Sequence, residues 1–271
     1  MARLIFTADG AAAGGLLNAG IAGTVIPVEP RLIWGPLPSN AEFTATLEPR
    51  TRQKPGSHWL DYAAPRVIRK LGGHDLGLIE LCQQYETVEL WIDPGPNAQL
   101  ILIYLLDHFR SHAKSASTLT LFQADVVIAA QLPETLSEWR PPPVAVTNDH
   151  LETASMAWQA YRQPTPRAWF DLLNKDSSLL PQLRTCVVEL LEELPGRVTG
   201  LGATEMRILE IISEGGTHPF DVFPGHMKRN ERRVFEYWEV GIVAGRARAW
   251  SRTRRGRSRG GTVHRGVAPQ A

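Results

Sequence analysis

Cysteine is scarce. The 271 residues hold only Cys82 and Cys186, far apart and each inside an apolar helical pattern. This argues against a disulfide framework or a cysteine metal cluster and for buried thiols in a reducing compartment. Long apolar runs are missing too: residues 100–106 fall far short of the roughly 20 needed to span a bilayer. The opening M-A-R-L-I-F-T-A-D-G has no secretory hydrophobic region and reads directly into a strand. A cytoplasmic protein with no membrane partner is expected. No G-K-[ST] phosphate loop and no H-E-x-x-H pair occurs, and no nucleophile–base pair is visible. The sequence therefore assigns neither a catalytic residue nor a cofactor.

Charge of one sign is missing from the end of the chain. Residues 241–271 carry eight arginines, no lysine and no acid. The net charge of +1 thus conceals an acidic part: residues 1–240 keep 21 of the 29 basic residues against all 28 acids, a net of −7. The run G-R-A-R-A-W-S-R-T-R-R-G-R-S-R-G-G has no apolar periodicity and reads as disordered. It has two readings, a tail that binds nucleic acid by counterion release or an out-of-frame translation of a GC-rich gene. The abrupt change of composition favours the second.

Hydrophobic residues make up 43% of the chain, enough for a real core. The stretch 88–109 organises the rest. V-E-L-W-I has strand character. Asp93-Pro94-Gly95-Pro96-Asn97 can continue neither strand nor helix, since both prolines lack a donor, and Asn97 is placed to cap the next helix. That helix is apolar on nearly every face from Leu100 to Leu106, which predicts a core helix. Upstream, residues 3–8 predict a first strand, residues 9–15 a small-residue turn, and residues 16–20 a helix ending at Gly20. Strand, glycine-rich turn and helix open many parallel α/β sheets, and such a turn can cradle an anion. The glycine spacing here fits neither G-x-G-x-x-G nor a Walker loop.

A further strand is expected at 24–28, an irregular polar excursion at 41–61, helices at 65–71 and 76–85, and a strand from Leu119. His108 and His112, four apart, share a helix face as two zinc ligands would. With no third ligand in sight, a solvated helix end is the better reading and no metal is assigned. The proline-rich stretch 133–143 reads as the end of a first domain. Beyond it come helices at 151–161, 167–173, about 183–194 and 204–213, then short helical pieces at 219–223 and 230–240. The last three form a loose helix-turn-helix outline, with Lys228, Arg229, Arg232 and Arg233 placed for contact with nucleic acid.

Several stretches carry a resemblance. T-A-D-G-A-A-A-G-G-L-L-N-A-G, G-P-L-P at residues 35–38, and L-W-I-D-P-G-P-N-A-Q-L-I-L-I-Y-L-L resemble a bacterial family catalogued as domain of unknown function number 1835. A-W-Q-A-Y, L-L-P-Q-L-R, L-L-E-E-L-P and G-L-G-A-T-E-M-R-I-L-E resemble its usual C-terminal partner domain, number 3658. The resemblance spans about 1–240 and implies a bacterial two-domain protein. Some relatives' names mention RNA polymerase sigma factors, but the resemblance implies no mechanism. Where that family tends to read Gly-Asp-Ser, this chain has Ala8-Asp9-Gly10, so a role needing the serine hydroxyl is lost. The partner domain also continues past the point where this chain turns arginine-rich.

The expected architecture is therefore an α/β domain over 1–145, three-layered with a mainly parallel sheet. An all-α domain over 146–240 ends in the helix-turn-helix-like trio, and an arginine-rich tail fills 241–271. A site, if present, lies at the strand ends, where Asp9, Gly10, Asp93, Asn97 and Gln99 converge. Two functions fit this layout. One is a non-enzymatic regulatory or adaptor protein touching DNA or a protein partner. The other is an enzyme or binding protein for a nucleotide or other phosphorylated small molecule.

Overall fold

The computed structural model describes residues 2–51, 56–73, 75–139, 141–215, 234–235 and 239–241. The chain runs β1 (Arg3–Thr7), α1 (Gly10–Asn18), β2 (Thr24–Pro27), α2 (Asn40–Leu47), α3 (Pro65–Leu71), α4 (Leu78–Cys82), β3 (Thr87–Ile92) and α5 (Pro96–Arg110). It continues with α6 (Ala113–Ala116), β4 (Leu119–Gln123), α7 (Pro133–Glu138), β5 (Val144–Ala145), α8 (Asn148–Tyr161), α9 (Arg167–Asp171), α10 (Leu183–Glu192) and α11 (Ala203–Ser213).

One five-stranded sheet has the order β2-β1-β3-β4-β5, parallel except for the antiparallel edge β5. Alternate residues of each strand serve opposite layers, as the period of two requires. Leu4, Phe6, Val88, Leu90, Ile92 and Leu121 face a large core built with α5 and α8. Ile5, Val25 and Trp91 face a smaller one with α1 and Leu136 of α7. The expected mainly parallel α/β sheet with helices on both faces is what forms. Leu100 to Leu106 are all buried, as their uniform apolarity demands.

Four local expectations change. The glycine-rich stretch after Asp9 is the first half of a helix, not a turn: Asp9 caps it by accepting the Ala12 N–H at 2.8 Å. Small residues allow close packing there, since a Cβ on Gly15 would stand 3.1 Å from Leu136. Residues 41–61 are not an irregular excursion. Ser39 and Glu42 form a reciprocal capping box that starts α2, whose Phe43 and Leu47 enter the core. Pro96, not Asn97, opens α5. Proline's missing N–H costs nothing at a first helical position, so Gly95 becomes the cap. The proline-rich stretch 133–143 holds α7 and leads into β5 instead of ending a domain.

The boundary expected near 145 moves for a physical reason. The outer face of α5 is covered by α8, through Leu151, Ala154, Ala157 and Trp158. Trp169, Leu183, Cys186 and Val187 complete the same core. The described residues divide into two compact units, 1–191 and one that begins at Glu192. In the second, the Glu193 carboxylate accepts the Thr204 N–H and hydroxyl at 3.0 and 2.6 Å and pairs with Arg207 at 3.2 Å, fixing the start of α11. The helix-turn-helix trio and the arginine-rich tail lie, apart from α11 and a few residues, outside the described residues. Among the described residues no helix is long and apolar enough to cross a membrane.

Candidate functional site at the strand ends

In a sheet ordered 2-1-3-4-5 the connections from β1 and β3 leave in opposite directions, and their carboxyl ends border a crevice. β1 delivers Asp9 there and β3 delivers Asp93. The two are close enough for the charge on Asp9 to help raise the Asp93 carboxyl. Burial is the larger cause. Asp93 is only 8% exposed, and its carboxyl is pushed from an ordinary 3.8 up to about 6, against the pull of the Ile128 N–H. That N–H donates to Asp93 Oδ1 at 3.0 Å and folds the loop after β4 over the end of β3.

The other two polar candidates hold loops. Asn97 Oδ1 accepts the Leu32 N–H at 2.9 Å and its Nδ2 donates to the Pro30 carbonyl at 3.1 Å, tying α5 to the loop after β2. Gln99 Nε2 donates to the Asp93 carbonyl at 2.7 Å. Its Oε1 is buried without a partner. Asp9 and Asp93 thus lie near one another at the strand ends, Gln99 braces the backbone at Asp93, and Asn97 anchors the adjoining loop.

The sequence reading missed Glu29, two residues past the end of β2. The Gly10 N–H bonds its carboxylate, and a Cβ on Gly10 would lie 2.7 Å from Glu29 Oε1. Burial first, then the Asp9 charge, raises the Glu29 carboxyl above its usual range. No family model matches the chain, and no curated protein does. The reading of the site therefore rests on its chemistry. Glu29 takes the helix N-terminal N–H that a phosphate would use, and Asp9 and Asp93 add two more acids. Three acids at this point suit a phosphorylated ligand, one of the two alternatives above, less well than a neutral or cationic one. Carboxylates are acceptors, suited to hydroxyl and ammonium donors.

The remaining candidates separate from this crevice. Cys82 and Cys186 are free and buried, and desolvation pushes the Cys82 thiol up to about 12. His108 is not the solvated, dipole-stabilised imidazole expected. Burial and the neighbouring His112, with ring centroids 5.1 Å apart, push it down to about 4, so it is neutral at pH 7. Among the described residues no three His, Cys, Asp or Glu side chains lie together as a metal site. Lys228, Arg229, Arg232 and Arg233 lie outside the described residues.

Proposed function

We propose that the chain is a non-enzymatic regulatory protein whose α/β unit binds a small hydroxyl-rich molecule, of the sugar or nucleoside kind, at the ends of β1 and β3. The observation that carries this reading is the convergence of Asp9 and Asp93 across that crevice. Paired carboxylates accept hydrogen bonds from neighbouring hydroxyls of one ring. A sensing role is supported by the wiring of the crevice: Asp93 holds the loop after β4, and Asn97 ties α5 to the loop after β2. Occupancy would be felt in both loops. The resemblance to domain families 1835 and 3658 belongs to this proposal and adds no activity to it.

The test is thermal-shift screening of nucleosides and sugars beside their phosphate esters. Unphosphorylated compounds should raise the melting temperature, their esters should do so less, and Asp9→Ala should remove the shift. Esters binding better than the parent compounds would overturn the reading.

A second reading, contact with nucleic acid, is favoured by the placement of charge: eight arginines in 241–271 beside a net of −7 in the rest. Duplex-DNA anisotropy across a salt series, on the full chain and on a chain cut after Val240, separates its two sources. The acidity of 1–240 leads us to expect loss of binding with the tail. Binding retained by the shorter chain would assign it to Lys228, Arg229, Arg232 and Arg233 instead.

A further inference from the structure

A recess of about 350 Å³ opens beside the C-terminal half of α5, between α2, α5 and α8. It lies roughly 16 Å along the helix from Asn97, at 1.5 Å per residue. Its size is at the lower end of small-molecule sites. The floor is aromatic: Phe43, Tyr104 and Trp158 meet with ring centroids 5.1 to 5.2 Å apart. Tyr104 is pinned there, its hydroxyl donating to the Phe43 carbonyl at 2.8 Å.

The charges around this floor are unequal. Among the described residues, Glu48, Glu80 and Asp107 line the recess against one cation, Arg162. Arg162 is already engaged. Its guanidinium lies 5.1 Å from the Phe43 ring centroid and 5.7 Å from that of Trp158, and its Nη2 donates to the Pro38 carbonyl at 3.1 Å. It shows directly that these rings accept a flat cation on their faces. His108 adds no charge, because burial and its neighbour keep the imidazole neutral, so carboxylates outnumber the guanidinium in the described lining. A small anion would meet that negative field. A bare metal ion would find no three suitable ligands together among the described residues.

We propose that this recess binds a small organic cation, an alkylamine or guanidino compound, with Asp107 pairing its charge. The hydrocarbon body lies along the apolar lining beside the stacked Arg162, and the neutral His108 imidazole lines the same recess. Ammonium and guanidinium groups carry several donors and no acceptor, which matches a lining rich in acceptors.

The test is isothermal titration of the full chain with putrescine and agmatine, and with benzoate as the anionic comparison. Both amines should bind and benzoate should not. Asp107→Asn should weaken amine binding about tenfold, as expected for loss of one partly buried charge pair. Thr44→Trp, which places an indole in the mouth of the recess, should abolish it. If that variant does not fold by circular dichroism, Asp107→Asn decides. The proposal is overturned by amines that give no heat at millimolar concentration, or by benzoate binding more tightly than they do. It is also overturned if Asp107→Asn changes nothing, or if Asp9→Asn removes amine binding as fully as Asp107→Asn, which would move the amine to the strand ends.

Discussion

A chain ended after Ala145 is expected not to fold, whereas one ended after Leu191 should give a cooperative melting transition. The cause lies in α5. One side of this helix packs on the sheet, and its residues from Leu100 to Leu106 are at most 4% exposed. Its other side is covered in part by α2 and in large part by segments beyond residue 145. Trp158 of α8 is 2% exposed and packs on Phe43 and Tyr104. The Tyr161 hydroxyl donates to the Leu32 carbonyl at 2.7 Å, and the Cys186 thiol contacts the Pro96 carbonyl at 3.6 Å. Each large apolar side chain returned to water costs about 1.5–3 kcal/mol. The cut strips the outer face of α5 and also removes Leu151, Trp158, Trp169, Leu183 and Val187 from the core. Together these losses are as large as the whole stability of an ordinary domain, about 5–15 kcal/mol. Near-UV circular dichroism and size-exclusion chromatography distinguish the outcomes. A monomeric 1–145 fragment with a sharp transition would restore the boundary at the proline-rich stretch and show that α5 needs no cover from α8.

How much of this was legible in the sequence depends on how local each determinant is. β1, β3 and α5 are written in short-range patterns, and the uniform apolarity of 100–106 announced a helix buried on all sides. It did not announce what buries it, because α8 arrives some fifty residues later. Residues 39–47 did carry a start signal, Ser39 with Glu42 three residues on and Phe43 and Leu47 four apart. The nearby prolines, Pro49 and Pro55, drew the reading away from it. The prolines of 133–143 misled in another way: one opens α7, and the others turn the chain into an antiparallel edge strand. In the crevice, Asp9 and Asp93 could be paired in advance because strand ends collect polar residues in parallel sheets. Glu29 could not, since only the order β2-β1-β3 brings the end of β2 beside β1. Asn97 fitted two local roles equally well. The choice was made by a contact with Leu32, 65 residues away.

Replacing Asp93 with asparagine should stabilise the protein above pH 6 and leave it unchanged near pH 3.5. The buried carboxyl ionises near pH 6 in the folded chain against 3.8 ordinarily. Below both values each state is protonated and the group contributes nothing. Between them the folded chain holds a proton that the unfolded chain has released, so stability falls as pH rises through this window. Above pH 6 the full cost of the buried charge persists, about 2–3 kcal/mol at 1.36 kcal/mol per pH unit. Asparagine removes that cost and keeps an oxygen for the Ile128 N–H. For a chain of this length the gain corresponds to roughly 5–10 °C in melting temperature. Melting curves of both proteins from pH 3.5 to 8 should therefore coincide at the acid end and separate through pH 4–6. A constant gap, or none at pH 8, would show that the carboxylate is adequately solvated where it stands. The same variant should lose affinity for hydroxyl-bearing ligands, since an amide carries no charge to strengthen their hydrogen bonds. Stability gained together with binding lost is the signature of a residue kept for a site at the expense of the fold. Stability gained with binding intact would leave Asp9 and Glu29 to hold the ligand, and would move the centre of the site from β3 to the start of α1.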